Sequence, residues 1–141
     1  MPLSRLLGLA PQIGQVAELT GLGMRTIRHY EEVGLAPPTA RSAGGFRLYT
    51  DTDVARLRVI MRMKPLEFTL EEMRDLLEVL HRLDDPGTGP AERERLPCQV
   101  AAYRDRVDQR CAKLPARLAG AEDFSTELGD RLEAGRPAPR P

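Results

Sequence analysis

The feature that most constrains this chain is the spacing of glycine and proline across its first fifty residues: Gly21 and Gly23, then Gly34, then Pro37-Pro38 and Gly44-Gly45. Glycine adopts positive φ at little steric cost, and proline removes a backbone donor, so each cluster closes one element and opens another. Whatever lies between them is short. Residues 14–20 read as a short helix with Val16, Ala17 and Leu19 inward. Thr20-Gly21-Leu22-Gly23 is a tight turn, and a second helix over 24–33 ends at Gly34, suited to the first position past a helix. Pro37-Pro38 stands outside any strand ladder. Gly44-Gly45 suits a hairpin turn, with Phe46 to Tyr49 as the return strand of a two-stranded wing.

Helical periodicity takes over after residue 50. Thr50-x-x-Asp53 opens a third helix with Val54, Leu57, Ile60 and Met61 inward, and Pro65 closes it. Thr69 to Glu72 is a capping box ahead of a stripe of Leu70, Met73, Leu76, Leu77 and Leu80. Residues 84–90 form a linker. A long helix over 91–119 follows, in which Leu96, Val100, Tyr103 and Val107 are spaced 4, 3 and 4 residues apart, the seam of a coiled coil. Leu114 and Leu118 extend the seam, while Arg110 falls on an intervening seam position and weakens it. Pro97 suits the start of this helix, and Pro115 is expected to break it near residue 114. Phe124, Leu128 and Leu132 then mark a short last helix within 120–141, ahead of a disordered tail. Residues 1–12 read as a flexible leader.

The fold class expected is therefore mainly α: a winged helix-turn-helix domain over 13–83, followed by a long coiled-coil dimerisation helix. Its core must be aliphatic, since aromatic residues make up 4% of the chain and Trp is absent. The formal net charge is zero, but its distribution is uneven. Residues 1–64 carry nine Lys and Arg against five Asp and Glu, and residues 65–141 carry twelve against sixteen. A basic half beside an acidic half points to a polyanionic partner for the first. Cys98 and Cys111 make no disulfide scaffold. There is neither an 18-residue apolar run nor a signal peptide, so the chain reads as cytoplasmic, with no membrane association.

In a winged helix-turn-helix the second helix enters the major groove, which is about 12 Å wide and admits one helix. At 100° per residue Arg25, Arg28, His29 and Glu32 share one face of the 24–33 helix, with Ile27 and Tyr30 toward the other. The plainer reading is a solvated surface face, because charges three apart are common on helices. In the wing, Arg41, Phe46, Arg47 and Tyr49 suit phosphate or minor-groove contact. Packing of Phe46 and Tyr49 on the second helix accounts for the aromatics equally well.

The run Ile13-Gly14-Gln15-Val16-Ala17, Thr20-Gly21, Met24 through Leu35, Pro37-Pro38, Arg41, Gly45 through Tyr49 and Asp53-Val54 resembles the MerR family of bacterial transcriptional regulators. The match continues through Leu57, Ile60, Leu66 and Phe68 to Met73. The resemblance implies a homodimer joined by an antiparallel coiled coil. It also implies a near-palindromic double-stranded promoter site, with RNA polymerase as the partner at that promoter, and control by distorting the promoter spacer. By position it implies DNA contacts from Arg25, Arg28, His29 and Tyr30, from Arg41, Phe46 and Arg47 in a first wing, and from Arg62 or Lys64 in a second. Two places depart from the pattern. His29 stands where the family has an aromatic residue, and Lys64-Pro65-Leu66-Glu67-Phe68 stands where a Leu-Gly-Phe ending is usual.

Metal sensors of this family use a Cys near the start of the dimerisation helix and a Cys pair after it. Here only Cys98 and Cys111 are available, which leaves metal or thiol sensing as the alternative function and two small packing residues as the plainer reading. No cofactor is expected, and no nucleophile–base set or phosphate loop marks an enzyme. A DNA-independent interaction module built on the coiled coil is the third reading.

Overall fold

The computed structural model describes residues 12–37, 40–41, 44–45 and 47–140. The expected leader up to residue 11, Pro38 and Phe46 lie outside the described residues. The chain divides into two units, residues 1–100 and 101–141.

In the first unit, α1 (Ile13–Thr20) and α2 (Met24–Glu32) flank the glycine turn. Gly21 adopts φ 75° and its N–H donates to the Ala17 carbonyl at 2.9 Å. The turn has a second fastening. Buried Thr20 donates its hydroxyl to the Val16 carbonyl at 2.8 Å and accepts the Leu22 N–H at 3.3 Å. That arrangement tips Leu22, not Leu19, into the core; Leu19 is exposed. At the far end of α2, Gly34 takes φ 73° and the Tyr30 carbonyl accepts the N–H groups of both Leu35 and Ala36, which puts those two side chains in the core.

Strands β1 (Ala40–Arg41) and β2 (Arg47–Leu48) pair antiparallel, with Ala40 opposite Leu48 and Arg41 opposite Arg47. Tyr49 follows them and is fully buried, which answers the question its sequence context left open: its ring is part of the core.

Helix α3 (Asp51–Met63) begins with a complete reciprocal cap. The Asp53 N–H donates to the Thr50 hydroxyl at 3.1 Å, and the Thr50 N–H donates to the Asp53 carboxylate at 2.8 Å. Aspartate thus serves where glutamate is the usual partner. The helix ends at Met63, and a single 3-10 turn, Lys64–Leu66, accommodates Pro65. Glu67 closes that turn at φ 60° and ψ 35°, the one non-glycine with positive φ among the described residues.

Helix α4 (Leu70–Asp84) carries the capping box in full, Thr69 and Glu72 exchanging two hydrogen bonds of 3.1 Å. Its buried face is Met73, Leu76, Leu77 and Val79. Leu70, expected inward, is exposed, since the first turn lies ahead of the packed stretch. Two arginines join helices across the unit by donating to C-terminal carbonyls: Arg58 to Leu19 at 3.4 Å and Arg74 to Val33 at 2.8 Å. Both favour the carbonyl end of a helix dipole.

The segment from Asp85 to Gly89 is tied rather than loose. Thr88 donates to the Arg82 carbonyl at 2.6 Å, Arg93 donates to the Asp85 and Thr88 carbonyls, and Arg82 pairs with Glu92 at 3.1 Å. Helix α5 then runs from Pro90 to Ala134 without a break. This corrects the expected end near residue 114 and the separate short helix over 120–141. Pro115 removes one N–H and crowds the carbonyl four residues back, at a cost of about 3 kcal/mol. Its neighbours, Ala112, Lys113, Leu114, Ala116, Arg117 and Leu118, are all strong helix formers and carry the helix past it. Pro97 also sits inside the helix, not at its start; Pro90 occupies the first position, where a missing N–H is harmless.

In the second unit, α5 buries Tyr103, whose ring lies 4.9 Å from the Arg106 guanidinium. Beyond residue 110 every side chain up to Arg140 is exposed.

Candidate nucleic-acid interface

The geometry of α2 follows from its two anchors. Ile27 is fully buried and Tyr30 is 4% exposed, three residues apart and therefore on one face. Arg25, Arg28 and His29 are left on the opposite, exposed face, together with Glu32. The three cationic or cationisable groups span little more than one turn, so they present a compact patch. His29 and Tyr30 touch at the edge between the two faces, ring centroids 5.8 Å apart and tilted by 47°.

Tyr30 is thus separated from the residues it was grouped with. Burial raises its phenol pKa above the usual value near 10, which keeps it neutral. Its place in the core makes it an anchor for α2.

Arg62 and Lys64 are both exposed, one at the end of α3 and one at the start of the 3-10 turn. Glu67, also exposed, closes the same turn. Arg41 and Arg47 are opposite one another in the hairpin register, and only their backbone is described. Phe46 lies outside the described residues.

A cleft of about 370 Å³ lies between α3 and α4, lined by Arg56, Val59, Leu77, Leu80 and His81 with Asp51 and Asp84 at its margin. The Arg56 Nε is buried there without a hydrogen-bond partner. Sequence reasoning had no signal for this cleft beyond the lone imidazole of His81, because α3 and α4 each read as ordinary amphipathic helices.

The seam residues all fall on α5. Leu96 and Tyr103 are buried, Val100 and Val107 are half-buried, and Leu114 and Leu118 are exposed, Leu118 at 61%. The apolar row continues beyond the expected limit, with Phe124, Leu128 and Leu132 also exposed. Cys98 and Cys111 are both exposed and thirteen residues apart on one helix. That spacing sets them roughly 20 Å apart along the axis and about 140° apart around it. They point to different sides, so a single thiolate pair is not built into the helix. Among the described residues no group of three or more His, Cys, Asp or Glu is placed to hold a metal ion, and no helix is long and apolar enough to cross a membrane.

Comparison with known proteins agrees with this architecture. Residues 12–80 match the MerR HTH family regulatory proteins. The HTH-type transcriptional regulator HmrR of Sinorhizobium medicae is 40% identical over 82% of this chain and 70% of its own length. The HTH-type transcriptional activator TipA of Streptomyces coelicolor is 41% identical over 82% of this chain but only 44% of its own, and another such activator is matched over 26% of its length. The chain therefore spans less than half of some relatives. Among solved structures, HiNmlR, a MerR family regulator lacking the sensor domain and bound to promoter DNA, shares the fold with a TM-score of 0.58 at 20% identity, covering 90% of this chain and 95% of that one. With a mainly helical helix-turn-helix module, a long C-terminal helix and these relatives, the chain belongs to the MerR family of helix-turn-helix regulatory proteins.

Proposed function

We propose that this chain is a cytoplasmic, sequence-specific transcriptional regulator that binds a near-palindromic promoter site as a homodimer and acts with RNA polymerase by distorting the promoter spacer. The observation that carries the reading is the division of α2. Ile27 and Tyr30 lock one face into the core, and Arg25, Arg28 and His29 stand together on the other. A helix held this way presents bidentate donors to base edges or phosphates without having to reorganise.

The paired strands act as a first wing, with Arg41, Phe46 and Arg47 contacting DNA, and Arg62 and Lys64 form a second. Tyr30 contributes as a positioning residue. Leu96, Val100, Tyr103, Val107, Leu114 and Leu118 form the dimer seam. The names of HmrR and TipA, a transcriptional regulator and a transcriptional activator at 40% and 41% identity, support the class. In such a dimer the two copies of α2 enter successive major grooves about 34–36 Å apart.

Selection of bound fragments from genomic DNA with the purified protein, followed by anisotropy titration on the selected site, tests this. A symmetric site whose affinity falls steeply with salt is expected, since phosphate neutralisation releases counterions. Arg28→Ala should weaken binding by about 1–3 kcal/mol, roughly fivefold to 150-fold. Failure to enrich any site, or an Arg28→Ala protein of unchanged affinity, counts against the reading.

A further inference from the structure

We propose that Arg74 is a positioning residue for the reading helix. By holding the C-terminal end of α2 it sets the angle at which Arg25, Arg28 and His29 meet base edges, and so the discrimination between sites, without touching DNA. The role rests on the DNA-binding reading above and names a determinant of its specificity that lies on another helix.

The placement is unusual for a surface arginine. Arg74 is exposed on α4, and Glu71 and Glu78 stand three and four residues from it on its own helix. Those are the ordinary partners of a helical cation. Glu78 instead pairs with Arg82 at 3.2 Å, and the Arg74 guanidinium crosses to an element 41 residues away, donating to the Val33 carbonyl at 2.8 Å. Val33 is the residue that ends α2. Its carbonyl lies where the helix dipole is negative, and Glu31 and Glu32 add two carboxylates to that last turn, so a cation is favoured there on both counts.

The rest of α2 leaves its tilt loosely set. Its nine residues are too few to hold a helix in water unaided. No side chain caps its N-terminus at Gly23. Its core anchors, Ile27 and Tyr30, are three residues apart, about 4.5 Å along the axis. Val33 lies three residues beyond Tyr30, so the Arg74 bond extends the base to about 9 Å and roughly halves the freedom to tilt. Arg74 itself stands on a firm base, since Met73, Leu76 and Leu77 bury the neighbouring face of α4. Helix α1 has less need of such a strut. Thr20 and Gly21 already fasten its end, and Arg58 reaches the Leu19 carbonyl only at 3.4 Å. Tilt matters because bidentate hydrogen bonds to a base are directional, whereas attraction to phosphate is not. Loss of the Arg74 bond therefore weakens specific binding more than non-specific binding.

Arg74→Met and Arg74→Lys in the full chain test this, on the selected site and on an unrelated duplex of the same length, over a salt series. Arg74→Met should weaken binding to the selected site by roughly fivefold to tenfold and binding to the unrelated duplex by less than about twofold. The salt slope should be unchanged and the urea midpoint nearly so. Arg74→Lys keeps a donor and should recover most of the loss. Amide hydrogen exchange of the DNA-free protein gives a second readout: Arg74→Met should speed exchange in α2 severalfold and leave α1 and α3 as they are. Equal losses on both duplexes, with a salt slope lower by about one per copy, make Arg74 a phosphate contact and overturn the proposal. So does a loss matched by a fall in the urea midpoint, a lysine variant no better than methionine, or unchanged exchange in α2. Failure to enrich any site removes the DNA reading itself, a separate outcome, and the exchange measurement still decides whether Arg74 holds α2.

Discussion

The two units of this chain use the same kind of residue in opposite ways. In the first, leucine, isoleucine and valine are covered by the chain's own helices: Val16, Ile27, Leu35, Leu57 and Ile60 are all fully buried. In the second, Leu114, Leu118, Phe124, Leu128 and Leu132 lie on one helix with water around them, Leu132 at 75% exposure. The difference teaches what each region can do alone. Burial gives roughly 25 cal/mol per Å² of apolar surface, and among the described residues the first unit collects most of it, Tyr103 being the second unit's one buried apolar side chain. The second has the length and the apolar row of a partnered helix. If the long helix pairs as proposed, the first unit should fold independently of concentration and the helix should gain stability with it.

The strongest way to break the comparison is to cut into the core of the first unit. Leu57→Ala removes a fully buried side chain of α3 and should cost about 2–5 kcal/mol. The loss should be the same at micromolar and at much higher protein concentration in urea titrations followed by circular dichroism. A loss that vanishes on concentrating the protein would show that the first unit also depends on a partner.

Leu114→Glu is the counterpart in the second unit. It should leave the urea midpoint of a dilute sample unchanged and weaken dimerisation by tenfold or more, at about 1.4 kcal/mol per factor of ten. Sedimentation across a concentration series reads the effect. A change in the dilute midpoint would mean that Leu114 packs within its own chain.

Two backbone positions sharpen the comparison with effects of opposite sign near about 1 kcal/mol. Gly34 holds φ 73° in open space, so Gly34→Ala meets no side chain and pays only the left-handed strain, about 1–2 kcal/mol. Glu67 holds φ 60° with a side chain that disfavours it. Glu67→Gly relieves that strain but gives the unfolded chain more freedom, for a net gain of roughly half a kcal/mol. Thermal melts of the two variants should therefore move in opposite directions. Equal shifts would remove backbone strain as the explanation.

What the sequence made legible was mostly local. Gly21 and Gly34 mark positive-φ turns because so few residues tolerate that conformation, and Thr69 with Glu72 marks a helix start because two side chains satisfy two orphan N–H groups. Other features depend on sums that a local reading does not make. Pro115 reads as a breaker, yet a strong run of helix formers on both sides outweighs one lost hydrogen bond. Spacing set Tyr30 on the face of Ile27 while the family resemblance grouped it with the DNA contacts, and Tyr49 stood open between wing and core; both rings are buried in the folded unit. The cleft between α3 and α4 comes from how two helices meet, which neither helix announces.

Tyr30 gives the smallest effect and the finest test of where the core ends and the reading face begins. Its folded pKa is raised by burial above the unfolded value near 10. The stability it contributes is complete below pH 10 and is lost as pH rises through the raised folded value, because the unfolded chain sheds the phenolic proton first. Tyr30→Phe cannot ionise. It should match the parent in thermal midpoint near pH 8 and lose less stability than the parent between pH 10 and 11. If Tyr30 only positions α2, Tyr30→Phe should also leave DNA affinity near pH 8 within about twofold, while Arg28→Ala, one helical step of two residues away, does not. A Tyr30→Phe protein with normal stability and a tenfold loss of affinity would return the hydroxyl to the reading face and shift the boundary between core and surface by one residue.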